Sequence, residues 1–201
     1  MGFTRKGMLL IISGPSGTGK GTLVKKLMDS DPSICFSCSA TTRPPRAEEI
    51  DGVHYHFISE DDFERLLSQD AFLEHAIVHG HQYGTLKEEV RANLAQGKNV
   101  LLDIDPQGAI SVMEQERDYV SIFMLPPTFR ALKTRLHTRN TDDPAEIQRR
   151  LQNAREEVKT IGRYQYAVVN DDLDLAFVQL QSIVNAEKQR THRFSPTIPE
   201  E

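Results

Sequence analysis

The sequence has no tryptophan, only two cysteines, no basic excess and no long hydrophobic run. Its formal net charge is -5, whereas a protein that binds duplex nucleic acid normally carries a basic surface, so we expect no nucleic-acid partner. None of the apolar runs approaches the ~20 residues of a membrane-spanning helix. The N-terminal segment also lacks the small-residue cleavage site of a signal peptide. The sequence therefore predicts a cytoplasmic protein without a membrane partner, and it leaves assembly into a homo-oligomer open.

The two cysteines, Cys35 and Cys38, form a C-x-x-C pair. A redox pair is usually found at the start of a helix, which lowers the thiol pKa, but the segment SICFSCSATT is typical of a strand that enters a loop. A zinc site would need two further ligands. Five histidines occur downstream at irregular spacings that match no metal-binding pattern: His54, His56, His75, His79 and His81. We therefore predict two reduced, unreactive cysteines, and histidines on the surface or at the edge of a pocket.

Apolar runs alternate with amphipathic segments along the chain. Four runs are typical of buried parallel strands, at residues 8–13, 99–105, 120–127 and 166–170. Helices are predicted over residues 19–29, 59–69, 85–97, 143–162 and 172–190. The expected N-caps of three of these helices are Ser59, Thr85 and Asp143. Strands separated by helices predict an α/β fold with a doubly wound parallel sheet, whose ligands bind at the carboxyl ends of the strands.

Two polar segments interrupt this alternation. Residues 36–85 are rich in Thr, Pro, Arg, His and Tyr, and residues 135–143 form a second polar stretch with two arginines. Since both fall at the ligand edge of the sheet, they predict a second binding lobe over about residues 36–88 and a lid over about residues 130–150. We assign residues 4–190 to one domain and expect the tail, residues 191–201, to be frayed.

The segment GPSGTGKGT, residues 14–22, follows an apolar run and precedes a predicted helix. The spacing Gly14-x4-Gly19-Lys20 is the phosphate-loop pattern, in which backbone N–H groups and a helix N-terminus surround an anion. Lys20 supplies a mobile cation for the β- and γ-phosphates of a nucleotide. The predicted ATP contacts in this segment are Gly14, Pro15, Ser16, Gly17, Thr18, Gly19, Lys20, Gly21 and Thr22. Gly21 stands where a hydroxyl residue is usual, so either Thr22 supplies the hydroxyl on the Mg²⁺ side or water and phosphate oxygens hold more of the metal.

Two acids close the apolar run NVLLDID at residues 99–105. Two positions apart on a strand, Asp103 and Asp105 project to one side. There they would face Mg²⁺ and its waters as a Walker-B-like pair. The alternative is a pair of solvated carboxylates that caps the helix beginning in PQGAISVMEQE. The metal ligands predicted from the sequence, acting through water, are Thr22, Asp103 and Asp105.

The inserted segment contains the candidates for binding a phosphate acceptor. In TTRPPR, Arg43 and Arg46 lie three positions apart on a proline-stiffened loop, where two guanidinium groups can clamp one phosphate. Tyr55 and Tyr83 each offer a hydroxyl group on an apolar body. Taken singly, these residues fit solvated loop charges and core-edge tyrosines better than a binding site.

Six motifs occur in the order found in guanylate kinases: SGPSGTGKGTL, SATTRPPR, FLEHA, YGT, LLDIDPQGA and VVNDDLD. The chain closely resembles that family over roughly residues 8–190. The resemblance implies Mg²⁺-dependent phosphoryl transfer from ATP to GMP, in purine nucleotide metabolism and GMP recycling. It also implies a phosphate-loop NTPase-like core with a GMP-binding lobe and a lid. Two alternatives stay open, a non-catalytic relative that binds proteins and a kinase for another small phosphate acceptor.

Carried over residue by residue, the resemblance implies the composition of a GMP site. The phosphate is held by Arg43, Arg46, Tyr55 and Tyr83, the guanine is read by Ser39, Glu74 and Thr85, and Asp103 lies at the same site. A carboxylate such as Glu74 can accept both the N1–H and N2–H₂ donors of guanine, and the Ser39 hydroxyl can donate to O6. Thr85 stays open as a guanine contact, a helix N-cap or both. Glu48 stands where the family often has glycine, and we expect it to point to solvent.

The resemblance also implies a set of cations around the transferred phosphoryl group. The predicted catalytic residues are Lys20, the lid arginines Arg135 and Arg139, and Arg150 on the following helix. Asn140 stands where glycine is common, which implies a less flexible lid. Asn170, together with Asp171, either lines the adenine side of the ATP site or caps the last helix.

Overall fold

The structure is a computed structural model, and it describes residues 2–46, 48–78, 80–138 and 144–197. Its strands are β1 (Gly2–Arg5), β2 (Leu9–Ser13), β3 (Ile34–Phe36), β4 (Ala40–Thr41), β5 (His56–Phe57), β6 (Phe72–Val78), β7 (His81–Leu86), β8 (Asn99–Asp103), β9 (Tyr119–Leu125), β10 (Tyr166–Val169) and β11 (Phe194–Thr197). Its helices are α1 (Lys20–Ser30), α2 (Glu60–Ser68), α3 (Lys87–Ala95), α4 (Pro106–Gln115), α5 (Phe129–Thr138), α6 (Pro144–Val158) and α7 (Leu173–Lys188). None of these described helices is both long enough and apolar enough to cross a membrane.

A five-stranded parallel sheet lies at the centre, in the order β10-β9-β2-β8-β3. Alternate residues of β2 face opposite sides of this sheet. Leu9 and Ile11 pack with side chains of α3 and α4, whereas Leu10 and Ile12 pack with those of α1 and α7. Helices thus cover both faces, which explains why the strand sequences are continuously apolar. The predicted doubly wound α/β fold is confirmed.

Two of the predicted N-caps lie in described residues. Ser59 caps α2, since its hydroxyl accepts from the Asp62 amide at 3.0 Å and donates to the Asp62 carboxylate at 2.7 Å. Thr85 does not cap α3, which begins two residues later. It belongs to β7, where pairing with Glu74 of β6 keeps its backbone extended, so the N-cap interpretation is wrong. The third predicted cap, Asp143, lies outside the described residues.

The segment between β3 and α3 forms a sheet of its own, in the order β5-β4-β7-β6. β4 and β6 run antiparallel to β7, and β5 runs parallel to β4. A small core beneath α2 supports this second sheet, with the rings of Phe63 and Phe72 stacked 4.5 Å apart between centroids. The polar insertion in the sequence therefore corresponds to a second sheet at the carboxyl end of β3.

Helices α5 and α6 pack on each other through a small apolar cluster: Leu132, Leu136, Ile147, Leu151 and Ala154. The last three lie at helical spacing, so they form one buried face of α6. Residues 139–143, which follow α5 in the chain, lie outside the described residues. The expectations for Arg139 and Asn140 fall in that range and stay predictions.

The predicted fraying of the C-terminal tail is wrong for residues 191–197. A 3₁₀ turn, Thr191–Arg193, leads into β11, which pairs antiparallel with β1. Arg193 is 2% exposed, and its guanidinium lies 2.7 Å from the Asp118 carboxylate. β1 and Asp118 lie far from the tail in the sequence, so no local pattern within the tail indicates the strand pairing or the ion pair.

Both cysteines are free. Cys35 lies in β3 and Cys38 in the loop that follows, in agreement with the strand-into-loop pattern. Burial raises the pKa of the Cys35 thiol. Burial and the carboxylates of Glu89 and Asp51 raise the pKa of Cys38 to about 11. At neutral pH these thiols are therefore protonated and poorly nucleophilic.

Candidate active site

The phosphate loop lies between β2 and α1, at the carboxyl end of a central strand. Its glycines have positive backbone φ angles, 135° at Gly14 and 88° at Gly17 and Gly19, a region in which a Cβ is strained. Helix α1 begins at Lys20, with Gly19 at its N-cap and no described side chain bonded there as a cap. The first amides of the helix and the positive end of its dipole therefore form a suitable site for an anion.

Gly14 and Gly19 are also in close contact with other elements. A methyl group at Gly14 would lie 2.3 Å from the carbonyl oxygen of Met124, and one at Gly19 would lie 2.4 Å from Nδ2 of Asn170. Both distances are shorter than van der Waals contact, so the packing of the loop requires glycine at these positions. At Gly21, in the first turn of α1, a methyl group would meet none of the described atoms within 4 Å.

We expect Gly14→Ala to lower the free energy of unfolding by about 3 kcal/mol, because it combines an unfavourable φ angle with a backbone clash. Gly21→Ala is the matched control, and in an exposed helical turn it should raise the same free energy by up to about 1 kcal/mol. Urea denaturation followed by circular dichroism measures both values. Equal effects of the two substitutions would contradict this description of the loop.

The Lys20 side chain folds back over the loop. Its Nζ donates to the carbonyl oxygens of Gly14 at 2.5 Å and Pro15 at 3.4 Å. Burial raises the pKa of two nearby carboxyl groups, Asp103 at the end of β8 and Glu157 on α6, and the Lys20 charge opposes that shift in both. The Lys20 charge thus lies close enough to act on two carboxyl groups. Glu157 was not predicted from the sequence, because it is one of several polar residues on an amphipathic helix and belongs to no motif.

The two aspartates that follow the apolar run do not share a strand. β8 ends at Asp103, and Asp105 is the N-cap of α4, where its carboxylate accepts from the Gly108 amide at 2.8 Å. The prediction of a strand-borne pair is therefore wrong, and the helix-cap alternative is correct for Asp105. The physical reason is that the chain leaves the sheet directly after Asp103 and turns into α4.

Two of the predicted catalytic arginines contact the phosphate loop and its neighbour. Arg135 of α5 donates to the carbonyl oxygens of Thr18 at 3.3 Å and Asn170 at 2.9 Å. Arg150 of α6 donates to the Ser16 hydroxyl. The packed pair of helices therefore brings two guanidinium groups to the edge of the loop.

A cavity of about 420 Å³, which we call the loop cavity, opens beside the phosphate loop. Its lining comes from the loop, from α5 and from the residues after β10: Gly17, Gly19, Thr22, Thr134, Arg135, Asn170, Asp171 and Leu173. Nδ2 of Asn170 donates to the Thr18 carbonyl oxygen at 2.7 Å. The cap of α7 is Asp172, whose carboxylate accepts from two backbone amides of the first turn. The capping alternative for Asn170 and Asp171 is therefore wrong, and both residues line the cavity.

Three polar side chains form a hydrogen-bonded chain at the base of the second sheet. The Thr85 hydroxyl donates to Glu74 Oε1 at 2.6 Å and lies 3.5 Å from the Ser39 hydroxyl. Burial raises the pKa of Glu74; the Thr85 hydrogen bond opposes this shift, and the Asp105 carboxylate adds to it. The structure thus brings together all three residues that the resemblance assigned to guanine.

Arg43 contacts two tyrosines, Tyr83 of β7 and Tyr55, which precedes β5. Its Nε donates to the Tyr83 hydroxyl at 3.2 Å, and its guanidinium carbon lies 5.6 Å from the centre of the Tyr55 ring. The two tyrosine rings meet edge to face, with centroids 5.9 Å apart. Arg46 is exposed on the same loop. Three of the four residues assigned to the GMP phosphate, Arg43, Tyr55 and Tyr83, are therefore in mutual contact.

A further residue of this site, Glu49, was not predicted from the sequence. Its carboxylate forms a bidentate ion pair with Arg43, at 2.8 and 2.9 Å, and accepts from the Arg46 amide at 2.7 Å. The Arg43 hydrogen bonds and the Arg46 amide lower the pKa of Glu49 to about 2. Glu48 is exposed, as expected. Glu48 and Glu49 are adjacent acids in a loop, and nothing in their spacing indicates which of them turns towards the arginines.

A second cavity of about 380 Å³, which we call the lobe cavity, joins these groups to the central sheet. Four of the residues assigned to GMP contribute to its lining, together with Glu49: Ser39, Tyr55, Thr85 and Asp103. Asp103 ends β8, the neighbour of β2, and β2 leads into the phosphate loop. The loop cavity and the lobe cavity therefore lie at the same edge of one parallel sheet, as expected for the ligands of such a fold.

The fold and the site together define the class of protein. A doubly wound parallel sheet, a glycine-rich anion loop at a helix N-terminus, and cationic side chains around that loop are the arrangement of phosphate-loop kinases. The family model described as guanylate kinase matches residues 6–187. The chain belongs to the guanylate kinase family.

Similar proteins cover nearly the whole chain. The guanylate kinase of Caldanaerobacter subterraneus subsp. tengcongensis is 46% identical over 193 residues, which are 96% of this chain and 94% of the relative. That of Rhizobium etli is 50% identical over 190 residues, 94% of this chain and 86% of the relative. The crystal structure of guanylate kinase from Anaplasma phagocytophilum is 32% identical, with a TM-score of 0.74 and coverage of 96% of this chain and 92% of that one. The family resemblance drawn from the six ordered motifs is confirmed.

Proposed function

We propose that this chain transfers the γ-phosphoryl group of ATP to GMP and so forms ADP and GDP. The observation that supports this best is the chain of Ser39, Thr85 and Glu74. Ser39 and Thr85 line the lobe cavity, and the Thr85 hydroxyl bonds the Glu74 carboxylate. The phosphate loop lies at the same edge of the sheet. As part of this proposal, the activity serves cytoplasmic purine nucleotide metabolism and GMP recycling.

Glu74 reads the base in this proposal. Its carboxylate accepts the N1–H and N2–H₂ donors of guanine, and the hydroxyl groups of Ser39 and Thr85 serve the O6 acceptor. Adenine lacks the N2 amine and has an acceptor at N1, so it leaves a buried carboxylate without a partner. Sites of this kind reject the mismatched analogue by about 10⁴-fold.

Arg43, Arg46, Tyr55 and Tyr83 hold the GMP phosphate. The planar guanidinium group of Arg43 donates hydrogen bonds to both carboxylate oxygens of Glu49. A phosphate presents a similar pair of oxygens to a guanidinium group. The GMP phosphate therefore takes over at least one of these donors from Glu49, while Arg46 and the tyrosine hydroxyls supply further donors.

The phosphate loop binds the ATP phosphates, and the adenosine lies along the loop cavity beside Asn170. Lys20 contacts the β- and γ-phosphates. Arg135, Arg139 and Arg150 place positive charge around the phosphoryl group while it is transferred. Preorganised cations of this kind stabilise the charge of the transition state by several kcal/mol, about 10³-fold in rate or more.

The proposal includes Mg²⁺ with Thr22, Asp103 and Asp105 as its protein donors. All three offer oxygen atoms, the ligand type that Mg²⁺ prefers, and Mg²⁺ usually keeps several waters in protein sites. Asp103 fits, because it lines the lobe cavity within range of the Lys20 charge. Asp105 already has one oxygen bonded to the Gly108 amide, so it acts through water. When bound, Mg²⁺ neutralises charge on the β- and γ-phosphate oxygens.

The reaction needs no general base. The attacking atom is an oxygen of the GMP phosphate, which is already anionic, so positioning and charge neutralisation are sufficient. We propose that the second sheet closes over GMP and that α5 and α6 close over ATP. Closure excludes water from the phosphoryl group and limits hydrolysis of ATP.

The direct test measures ADP formation from ATP and Mg²⁺ with GMP, dGMP, AMP, CMP, UMP or no acceptor. We expect strong turnover with GMP, weaker turnover with dGMP and little with the others. Turnover with a different acceptor would support the proposed role of the phosphate loop but contradict the proposed guanine site. If no acceptor supported turnover in a sample that still bound GMP, a non-catalytic protein-binding role would replace the proposal.

The affinity for GMP should fall as the pH decreases. The fall should begin at a higher pH than the protonation of an exposed glutamate would cause. Burial raises the pKa of Glu74, so this carboxylate takes up a proton, and loses one acceptor, while exposed acids are still ionised. The GMP phosphate itself titrates near pH ~6, which makes Glu74→Gln the necessary control. Calorimetric titrations with GMP over a pH series should show a steeper decline for wild type. Parallel profiles would contradict this role of the carboxylate.

A further inference from the structure

Cys38, His56 and Glu89 come together where the second sheet joins the central one. The Cys38 sulfur, a ring nitrogen of His56 and a carboxylate oxygen of Glu89 all lie within 4.8 Å of one another. Cys38 precedes β4, His56 begins β5, and Glu89 lies in the first turn of α3. The proposed phosphoryl transfer uses none of these three side chains.

Hydrogen bonds hold the three groups in position. Glu89 Oε1 accepts from the Cys38 amide at 2.6 Å, and Oε2 lies 2.8 Å from His56 Nε2. One carboxylate oxygen is thus anchored by backbone, which orients the other towards the imidazole. The His56 side chain is 36% exposed, so an ion can reach the group from solvent.

We propose that Cys38, His56 and Glu89 bind a Zn²⁺ ion. Thiolate, imidazole and carboxylate are the three ligand types of zinc in proteins, and three such ligands with a water in the fourth position complete a tetrahedral site. Zinc bond lengths of about 2.0–2.3 Å place the ligand atoms roughly 3.3–3.8 Å apart. Small side-chain rotations reach that spacing from the observed one. Mg²⁺ and Ca²⁺ prefer oxygen ligands, so a sulfur and nitrogen set selects against them.

Binding changes the bonds within the cluster in a defined way. The Cys38 thiol releases its proton to solvent, and the thiolate sulfur bonds the metal. His56 Nε2 and Glu89 Oε2 bond the same ion, which takes the place of the hydrogen bond between them. Glu89 Oε1 keeps the bond from the Cys38 amide, in the manner of the outer hydrogen bonds that orient metal ligands.

The ion would connect the two sheets. His56 belongs to the second sheet, whereas Glu89 lies on α3, which packs on the central sheet. Since zinc binds only the folded arrangement of all three ligands, it should raise the midpoint of thermal unfolding. The proposal is independent of the kinase activity, because its test uses no nucleotide.

Co²⁺ is the spectroscopic probe for this site. The full chain is treated with a chelator, desalted into buffer with a phosphine reductant, and titrated with Co²⁺. A thiolate ligand gives a near-ultraviolet charge-transfer band, and tetrahedral coordination gives intense visible bands. We expect both at one Co²⁺ per chain, with loss of both on addition of Zn²⁺ but not of excess Mg²⁺.

Substitutions distinguish the proposed ligands from other donors. Cys38→Ser should abolish the charge-transfer band, whereas Cys35→Ser, the matched control at the other cysteine, should keep it. His56→Gln and Glu89→Gln should keep the sulfur band at saturating metal but weaken Co²⁺ binding by about tenfold or more. Circular dichroism establishes that each variant is folded.

Either of two spectroscopic results overturns the site: wild type without a sulfur-to-cobalt band, or a band that survives in Cys38→Ser. Unchanged Co²⁺ affinity in both His56→Gln and Glu89→Gln also overturns it, because Cys38 would then bind the ion without them. Thermal unfolding gives a second readout that does not need the Cys38→Ser variant. Zn²⁺ should raise the midpoint of wild type by more than that of Glu89→Gln, which binds the ion more weakly, and equal shifts in the two would refute the site.

Discussion

Lys20→Met is expected to lower kcat by about 10³-fold or more and to change the KM for GMP little. Methionine keeps an unbranched stem over the loop but removes the ammonium group that lies against Gly14 and Pro15. The negative charge that this ammonium meets is greatest in the transition state, so its loss affects turnover more than the binding of the acceptor. A coupled assay of ADP formation at saturating ATP and varied GMP measures both constants.

Lys26→Met is the matched control for this prediction. Lys26 lies on the same helix, bonds Asp174 and lies 4.7 Å from the centre of the Phe177 ring. An exposed ion pair of this kind contributes about 1 kcal/mol at most, and Lys26 is away from the loop, so kcat should stay close to the wild-type value. If Lys20→Met lost less than about tenfold in kcat, the ammonium would not be a major source of transition-state stabilisation.

Glu74→Gln is expected to lower kcat/KM for GMP by about 10²- to 10⁴-fold. An amide offers one oxygen acceptor and an NH₂ donor, whereas guanine presents two adjacent donors. One guanine donor then faces the NH₂ group of the amide, so two donors lack an acceptor inside a largely buried site. Each unsatisfied buried donor costs about 1–3 kcal/mol. Steady-state kinetics with GMP and AMP measure the effect. No comparable gain with AMP is expected, since the Glu74→Gln variant keeps the hydroxyl groups of Ser39 and Thr85.

The same substitution should keep or raise the midpoint of thermal unfolding. Because burial raises the pKa of Glu74, the ionised carboxylate destabilises the folded state at neutral pH relative to a neutral group. Glutamine has the same shape and removes that charge, while Thr85 can still donate to its oxygen. A loss of GMP use with no loss of stability would separate recognition from folding.

Glu88→Gln is the control for Glu74→Gln. Glu88 is exposed on α3, so the same change of charge should leave kinetics and stability near wild type. If Glu74→Gln used GMP as well as wild type does, the carboxylate would not read the guanine. The ATP side of the proposal would stand in that case, because it rests on Lys20 and the phosphate loop.

The central sheet and the phosphate loop are predictable from the sequence because each depends on a local pattern. A strand that is buried on both faces must be apolar throughout, so β2, β8, β9 and β10 are visible as short apolar runs. The loop needs glycine where φ is positive and where Met124 and Asn170 approach the backbone. These requirements fall at fixed offsets within a few residues of chain.

Residues at the ends of elements are less predictable, since neighbouring elements decide their conformation. Asp105 has the spacing of a strand residue but caps α4, because the chain turns directly after Asp103. Thr85 has the residue type of an N-cap but pairs with Glu74 across two strands. In both cases the local pattern allowed two conformations, and tertiary pairing selected one.

The order of motifs along the chain was enough to establish the fold class, the nucleotide loop and the family, because these are properties of contiguous segments. Contacts between distant segments leave no local pattern in the sequence. The Arg193–Asp118 ion pair joins the C-terminal tail to the segment before β9, and Cys38, His56 and Glu89 come from the loop before β4, from β5 and from α3. Such groups are assembled by the folding of remote parts of the chain, so their spacing in the sequence carries no information about their distance in space.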